Sequence, residues 1–162
     1  ALLSEPYRLF GALTGLPFFV IGGIAAWRQF QAPSTARIDK TVAAVRAMSW
    51  VEFSRAIEAA YRRDGYDITA VNAAAADFRI RKEWRIALVS CKRWKAARTG
   101  VEPLQDLHAA TEAHDAQECI YVTTGELTDK ARAFAGKHAI RLVGGSELAR
   151  LLPGVGRGKK AA

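Results

Sequence analysis

The sequence predicts an α/β domain, a mixed sheet flanked by helices and preceded by one transmembrane helix. Three observations carry this. Three strand-like segments follow one another between Tyr66 and Lys92, the pattern of an antiparallel meander. Two further strand segments are each reached through a helix-length segment, which makes crossovers and covers a sheet on both faces. Finally, Leu9 to Trp27 carries no charge between Arg8 and Arg28, close to the roughly 20 apolar residues that cross a hydrocarbon core.

That first run holds glycines at 11, 15, 22 and 23 and Pro17, which membrane helices tolerate better than soluble ones. A signal peptide and a buried core helix are the alternatives. One base and one acid precede the run, and no clear small-x-small cleavage site follows it. Arg28, Arg37, Lys40 and Arg46 follow the span while Arg8 alone precedes it. The expectation is an inner-membrane anchor in the lipid bilayer at residues 9–27, with the C-terminal domain in the cytoplasm. A second span upstream of Ala1 stays open.

Residues 28–47 read as a polar linker with Pro33, partly helical from Ile38 to Ala47. Ser49 and Glu52 form the S-x-x-E capping pattern, and Phe53, Ile57, Ala60 and Tyr61 then recur on one helix face up to Gly65. Tyr66–Val71 reads as a strand, followed by an alanine-rich connection at 73–76. Asp77–Arg81 alternates, with Asp77, Arg79 and Arg81 on one face and Phe78 and Ile80 on the other. A tight turn at Lys82-Glu83 leads into Trp84–Lys92, whose Ile86-Ala87-Leu88-Val89 core is apolar on both faces, as a central strand requires. Pro103 opens a helix to about Ala116 with Leu104 and Leu107 inward. Cys119–Thr123 is a strand, and Thr128 caps a helix to about His138 that buries Ala131 and Phe134. Ile140–Val143 is the last strand. Ser146 is expected to cap a short helix carrying Leu148, Leu151 and Leu152, and residues 153–162 to form a basic, disordered tail.

At 162 residues the chain suits one compact domain plus an appendage. The net charge is +8, and the surplus is local. Arg79, Arg81, Lys82, Arg85, Lys92, Arg93, Lys95 and Arg98 fall in one stretch against Glu83 alone. Such a patch suits a polyanion; a solvated face or attraction to anionic lipid stays open. Cys91 and Cys119 sit inside strands and read as buried free thiols. His108, His114 and His138 lack metal-ligand spacing, and no serine–histidine–acid arrangement emerges.

An acid on one strand and a lysine near the end of the next, Asp77 and Lys92, is how the PD-(D/E)xK nucleases build their metal site. The run Leu88-Val89-Ser90-Cys91-Lys92-Arg93-Trp94 resembles the Mrr-type (type IV) restriction endonuclease branch of that superfamily. The similarity covers residues 48–152. It includes Met48-Ser49-Trp50-Val51-Glu52-Phe53, Gly65-Tyr66, Ala76-Asp77, Thr99-Gly100-Val101 and Val122-Thr123-Thr124-Gly125. Leu127-Thr128, Ala131-Arg132-Ala133-Phe134-Ala135 and Leu142-Val143-Gly144-Gly145 complete it. The resemblance implies a restriction-endonuclease-like fold, metal-dependent phosphodiester hydrolysis in DNA restriction, Mg²⁺ or Mn²⁺, and DNA as partner. A homodimer is expected for double-strand cuts.

Three positions depart from the family pattern, and together they make the active site degenerate. Ser54 replaces the first-helix glutamate, Ala74-Ala75-Ala76 replaces the glycine-rich lead to the aspartate, and Ser90 replaces a glutamine or acid. Asp77, Ser90 and Lys92 are the catalytic candidates, with Asp77 as metal ligand. A neutral serine brings little charge to a cation that wants hard carboxylate oxygens. Lys92 would orient water or neutralise developing phosphorane charge. Glu52 and Glu58 are candidates to supply a second carboxylate, although Glu52 also serves the capping box. Asp77 also suits a structural pair with Arg79, Arg81 or Arg85. Arg79, Arg81, Arg93, Trp94, Lys95 and Arg98 are the DNA-binding candidates, Trp94 either stacking on an unpaired base or packing at the core edge. Two functions therefore stand side by side: a membrane-anchored endonuclease, and a catalytically inactive nuclease fold that binds DNA at the membrane.

Overall fold

The computed structural model describes residues 33–156. The expected membrane span at residues 9–27 and the tail from residue 157 lie outside the described residues. Among the described residues no helix is long and apolar enough to cross a membrane.

Five strands form the main sheet in the order β1-β2-β3-β5-β7, with β1 Asp67–Ala70, β2 Phe78–Lys82, β3 Arg85–Ser90, β5 Glu118–Val122 and β7 Arg141–Val143. The first three run antiparallel as a meander, and β5 and β7 then join parallel. The crossovers are α3 (Glu102–Ala113) and α4 (Asp129–Lys137), as parallel pairing demands. Three more helices, α1 (Thr35–Ala47), α2 (Trp50–Arg63) and α5 (Gly145–Leu151), complete the layers. Two short strands, β4 (Arg98–Thr99) and β6 (Glu126–Leu127), pair parallel in a separate ladder.

The alternation within β3 sorts its side chains into two cores. Ala87 and Val89 pack with Phe53, Ile57 and Tyr61 of α2, Val45 of α1 and Leu148 of α5. Leu88 packs on the other face with Leu104 and Leu107 of α3 and Ala131 and Ala135 of α4. The apolar run at 86–89 thus reflects a strand covered on both sides.

Local signals account for the helix starts. At Ser49 the capping box is complete: its hydroxyl accepts the Glu52 N–H at 3.3 Å and the Glu52 carboxylate accepts the Ser49 N–H at 2.8 Å. Gly65 ends the turn after α2 at φ +85°, a left-handed conformation that glycine adopts without cost. Thr128 caps α4. Ser146 does not cap α5; the helix starts at Gly145, with Gly144 as the preceding residue and no side-chain cap.

The segment read as a linker is part of the fold. Helix α1 starts at Thr35, capped by Ser34, and buries Thr41 and Val45 completely. The Arg37 guanidinium donates to the Ala149 carbonyl at 3.2 Å, tying α1 to α5. Its polar face masked this role, because only two residues point inward. Residues 153–156, expected in a disordered tail, turn back beneath α1, where the Thr41 hydroxyl donates to the Val155 carbonyl at 3.4 Å. The two-residue turn of the β2–β3 hairpin is Glu83-Trp84, one residue later than expected, with Glu83 at φ +56°.

Two stability outcomes follow. A chain starting at Met48 loses α1 and should unfold at a clearly lower urea midpoint than one starting at Pro33. Burial of Val45 alone contributes on the order of 1.5–3 kcal/mol. Gly125→Ala should destabilise by about 1–3 kcal/mol in the same assay, because a Cβ there would run into the Ala96 and Ala97 carbonyl oxygens.

Candidate active site

Asp77 lies one residue before β2, where its N–H donates to the Val89 carbonyl and its carbonyl accepts from Val71, each at 2.9 Å. The second bond continues the β1–β2 register, while the first lies one residue out of the β2–β3 register, so Asp77 enters the sheet irregularly beside Val89, just before Phe78 takes up regular pairing. Both carboxylate oxygens have partners. One oxygen accepts the Cys91 backbone N–H at 2.6 Å, and the other lies 3.1 Å from the Lys92 ammonium. The Asp77 side chain is 9% exposed and that of Lys92 42%. The expected acid–lysine pair therefore exists, and its partner is Lys92 rather than an arginine. Arg81 pairs with Asp67 at 3.0 Å and Arg85 with Glu118.

Ser90 is buried and lines a cleft of about 210 Å³ with Lys92, Arg93 and the alanines 74 and 75. The far wall is the start of α3, which contributes Glu102 and Asp106. These two acids were missed from sequence because nothing local ties α3 to β3; only the crossover brings them there. Neither proposed rescuer takes that place. Glu52 is held in its capping box, where the Ser49 hydrogen bonds keep its carboxyl below the usual range, and Glu58 pairs with Arg62 at 3.2 Å. A larger cavity of about 300 Å³ opens near the Glu83-Trp84 turn, lined by Tyr66, Lys82, Arg85 and Arg141. It lacks the acid–lysine pair, so the smaller cleft is the candidate site.

Asp77 and Ser90 together bring a single carboxylate to a divalent cation. Among the described residues no three His, Cys, Asp or Glu side chains stand together as a ligand set. Each Asp77 oxygen already has one partner, and Ser90 adds no charge. Lys92, 3.1 Å from the same carboxylate, would compete with a hard cation for it.

After Lys92 the chain forms an exposed basic loop with Arg93, Lys95 and Arg98. Backbone hydrogen bonds hold it: Thr124 N–H to Trp94 O at 2.9 Å, Glu126 N–H to Ala97 O at 2.9 Å, and Thr128 N–H to Thr99 O at 3.0 Å. The Thr124 hydroxyl also donates to Trp94 O, and Arg46 reaches Thr124 from α1 at 3.0 Å. Trp94 itself is core edge. Its ring stacks on Phe53 at 5.0 Å, and its indole N–H donates to Val45 O at 3.4 Å, so packing rather than an open ring face explains it. Arg79 and Arg81 are exposed on β2, away from this loop.

Both cysteines are free and buried. Burial pushes the Cys91 thiol well up, and the neighbouring Asp77 charge adds to it. His108 and His138 pair across α3 and α4, with ring nitrogens 3.1 Å apart.

Asp77→Ala should cost on the order of 1–3 kcal/mol in urea unfolding, since the buried Cys91 N–H loses its acceptor. Native protein should resist thiol alkylation at pH 8. Because the folded Cys91 thiol holds its proton above the unfolded value of about 8.5, stability should be unaffected below that pH and fall above it.

Comparison with known proteins agrees with this architecture. No curated protein matches the chain. A solved crystal structure described as a protein of unknown function, AF1548, is 16% identical, covers 56% of this chain and 56% of its own, and superposes with a TM-score of 0.47, a likeness that carries no argument. A family model described as restriction endonuclease, of the Mrr catalytic type, matches residues 45–152. Domains of that family generally bind DNA and use divalent metal ions. The match spans most of the described domain, including Asp77, Ser90 and Lys92, and the chain belongs to the Mrr-type restriction endonuclease family.

Proposed function

We propose that this domain binds DNA at the end of the sheet carrying Asp77, Ser90 and Lys92, as a nuclease fold whose hydrolytic centre is closed. The observation that supports it is the Asp77 carboxylate, with one oxygen on the Cys91 N–H and the other on Lys92. A carboxylate committed in this way serves as a clamp. The exposed bases Arg93, Lys95 and Arg98 on the adjoining loop, with Arg79 and Arg81 along β2, suit a phosphate backbone. The uncharged run 9–27 with its basic C-terminal flank supports a tether that presents the domain to cytoplasmic DNA at the inner membrane.

A second reading has its own observation. Glu102 and Asp106 share the cleft with Ser90 and Lys92, so a carboxylate for metal-dependent DNA cleavage in restriction could come from α3 instead of β3. In that reading Mg²⁺ or Mn²⁺ is the cofactor, and a homodimer makes double-strand cuts.

The full chain incubated with plain and methylated plasmid, with Mg²⁺ or Mn²⁺, separates the two. The expected result is no metal-dependent nicking and salt-sensitive DNA binding. In Lys92→Ala the slope of log affinity against log salt should fall by about 1. Metal-dependent nicking that Lys92→Ala abolishes would sink the binding-module reading, and its loss in Asp106→Asn would assign the acid to α3.

A further inference from the structure

The basic stretch at 79–98 is not one patch in space. Residues 92–98 form the loop above the site, while Lys82 and Arg85 flank the hairpin turn at the other end of β2 and β3. Five residues of strand separate Asp77 from Lys82, about 17 Å at roughly 3.3 Å per residue. At the tip of that hairpin stands Trp84, whose side chain is the most exposed among the large apolar residues described, at 75%.

An indole left in water at a two-residue turn does nothing for the core, and the turn is built at some cost. Glu83 adopts φ +56°, where a side chain is disfavoured and glycine is the usual choice. The surroundings hold the tip in place. Lys82 donates to the Asp64 carbonyl at 3.0 Å, Arg85 pairs with Glu118, and the Arg85 guanidinium carbon lies 5.8 Å from the Trp84 ring centre.

Between the tip and the site, the β1–β2 part of the sheet is open on the face that Arg79 shares with Leu88. Arg79 and Arg81 lie on it, in register with Thr69 and Asp67 of β1, and all four are exposed. Helices α3 and α4 cover the same face only over the later strands. Arg79, and Arg81 in its pair with Asp67, thus lie on the strand between the tryptophan and the site.

We infer that the β2–β3 hairpin is a second DNA contact, in which Trp84 stacks on an unpaired base while Arg79 and Arg81 follow the phosphates back to the Lys92 cleft. This rests on the DNA-binding reading above. The separation of about 17 Å corresponds to about five nucleotides at roughly 3.4 Å per step of one strand. The partner is nucleic acid rather than lipid, because Arg79 and Arg81 lie between the indole and the site and a single indole gives little apolar area for a bilayer. A flat aromatic ring beside fixed cations suits a base, whichever base it is.

The test uses the full chain and a duplex with or without a single-stranded extension, comparing the parent with Trp84→Ala, Trp84→Phe and Arg79→Ala. Trp84→Ala should weaken binding to the extended duplex by roughly 5- to 150-fold, the effect of losing one base–aromatic stack, and affect the blunt duplex less. Trp84→Phe should retain most of the affinity. Arg79→Ala should lower the salt slope by about 1 on both DNAs. An unchanged urea midpoint for Trp84→Ala is expected from its exposure and separates lost binding from lost folding. If the parent binds DNA and Trp84→Ala binds both probes equally well, the inference fails and the DNA-binding reading survives. If the parent binds no DNA, both fail. Loss of adhesion to phosphatidylserine vesicles in Trp84→Ala, with DNA affinity intact, would overturn the inference in favour of a membrane contact.

Discussion

The carboxylate of Asp77 closes the top of the central hairpin, and much else is arranged around it. It joins the residue entering β2 to the residues leaving β3, through a backbone hydrogen bond at 2.6 Å and an ion pair at 3.1 Å. Its low exposure makes the pair consequential, since a buried carboxylate without partners would carry a large desolvation cost. The same interaction holds Lys92 at the mouth of the cleft and brings the basic loop away from the sheet at a defined point. It also gives each carboxylate oxygen its own partner, the amide on one and the ammonium on the other.

Beyond Lys92, the loop is stiffened by its neighbours more than by its own sequence. The β4–β6 ladder, the Thr124 contacts and the close approach of Gly125 to the Ala96 and Ala97 carbonyls fasten it to the connection between β5 and α4. Arg46 adds a tie from α1. Cations on a loop already held in one conformation lose little further entropy when they meet phosphate, which suits a binding surface whether or not cleavage follows.

Much of this was readable in the residues. The Ser49–Glu52 box and the two-sided apolar run in β3 both follow from short-range periodicity, and both are present. What escaped depends on long-range packing. Helix α1 turns only Thr41 and Val45 fully inward, so its pattern is too sparse to distinguish a docked helix from a linker. Glu102 and Asp106 reach the cleft through a crossover that no local motif encodes. Trp94 and Trp84 both stand beside arginines in sequence, yet one is stacked in the core and the other stands in solvent. Composition cannot separate two tryptophans in such similar company; only the turn between β2 and β3 does.

The clamp on Asp77 is made through the main chain at position 91, not through its thiol. Every amino acid except proline supplies that N–H. The Cys91 side chain points into the other core, among Phe53, Val89 and their neighbours, where volume and polarity govern what is tolerated. A substitution at this position can therefore alter the packing against α2 while leaving the main-chain bond to Asp77 in place. The residue between serine and lysine thus meets two separate physical demands, one of shape on its side chain and one of a hydrogen bond on its main chain.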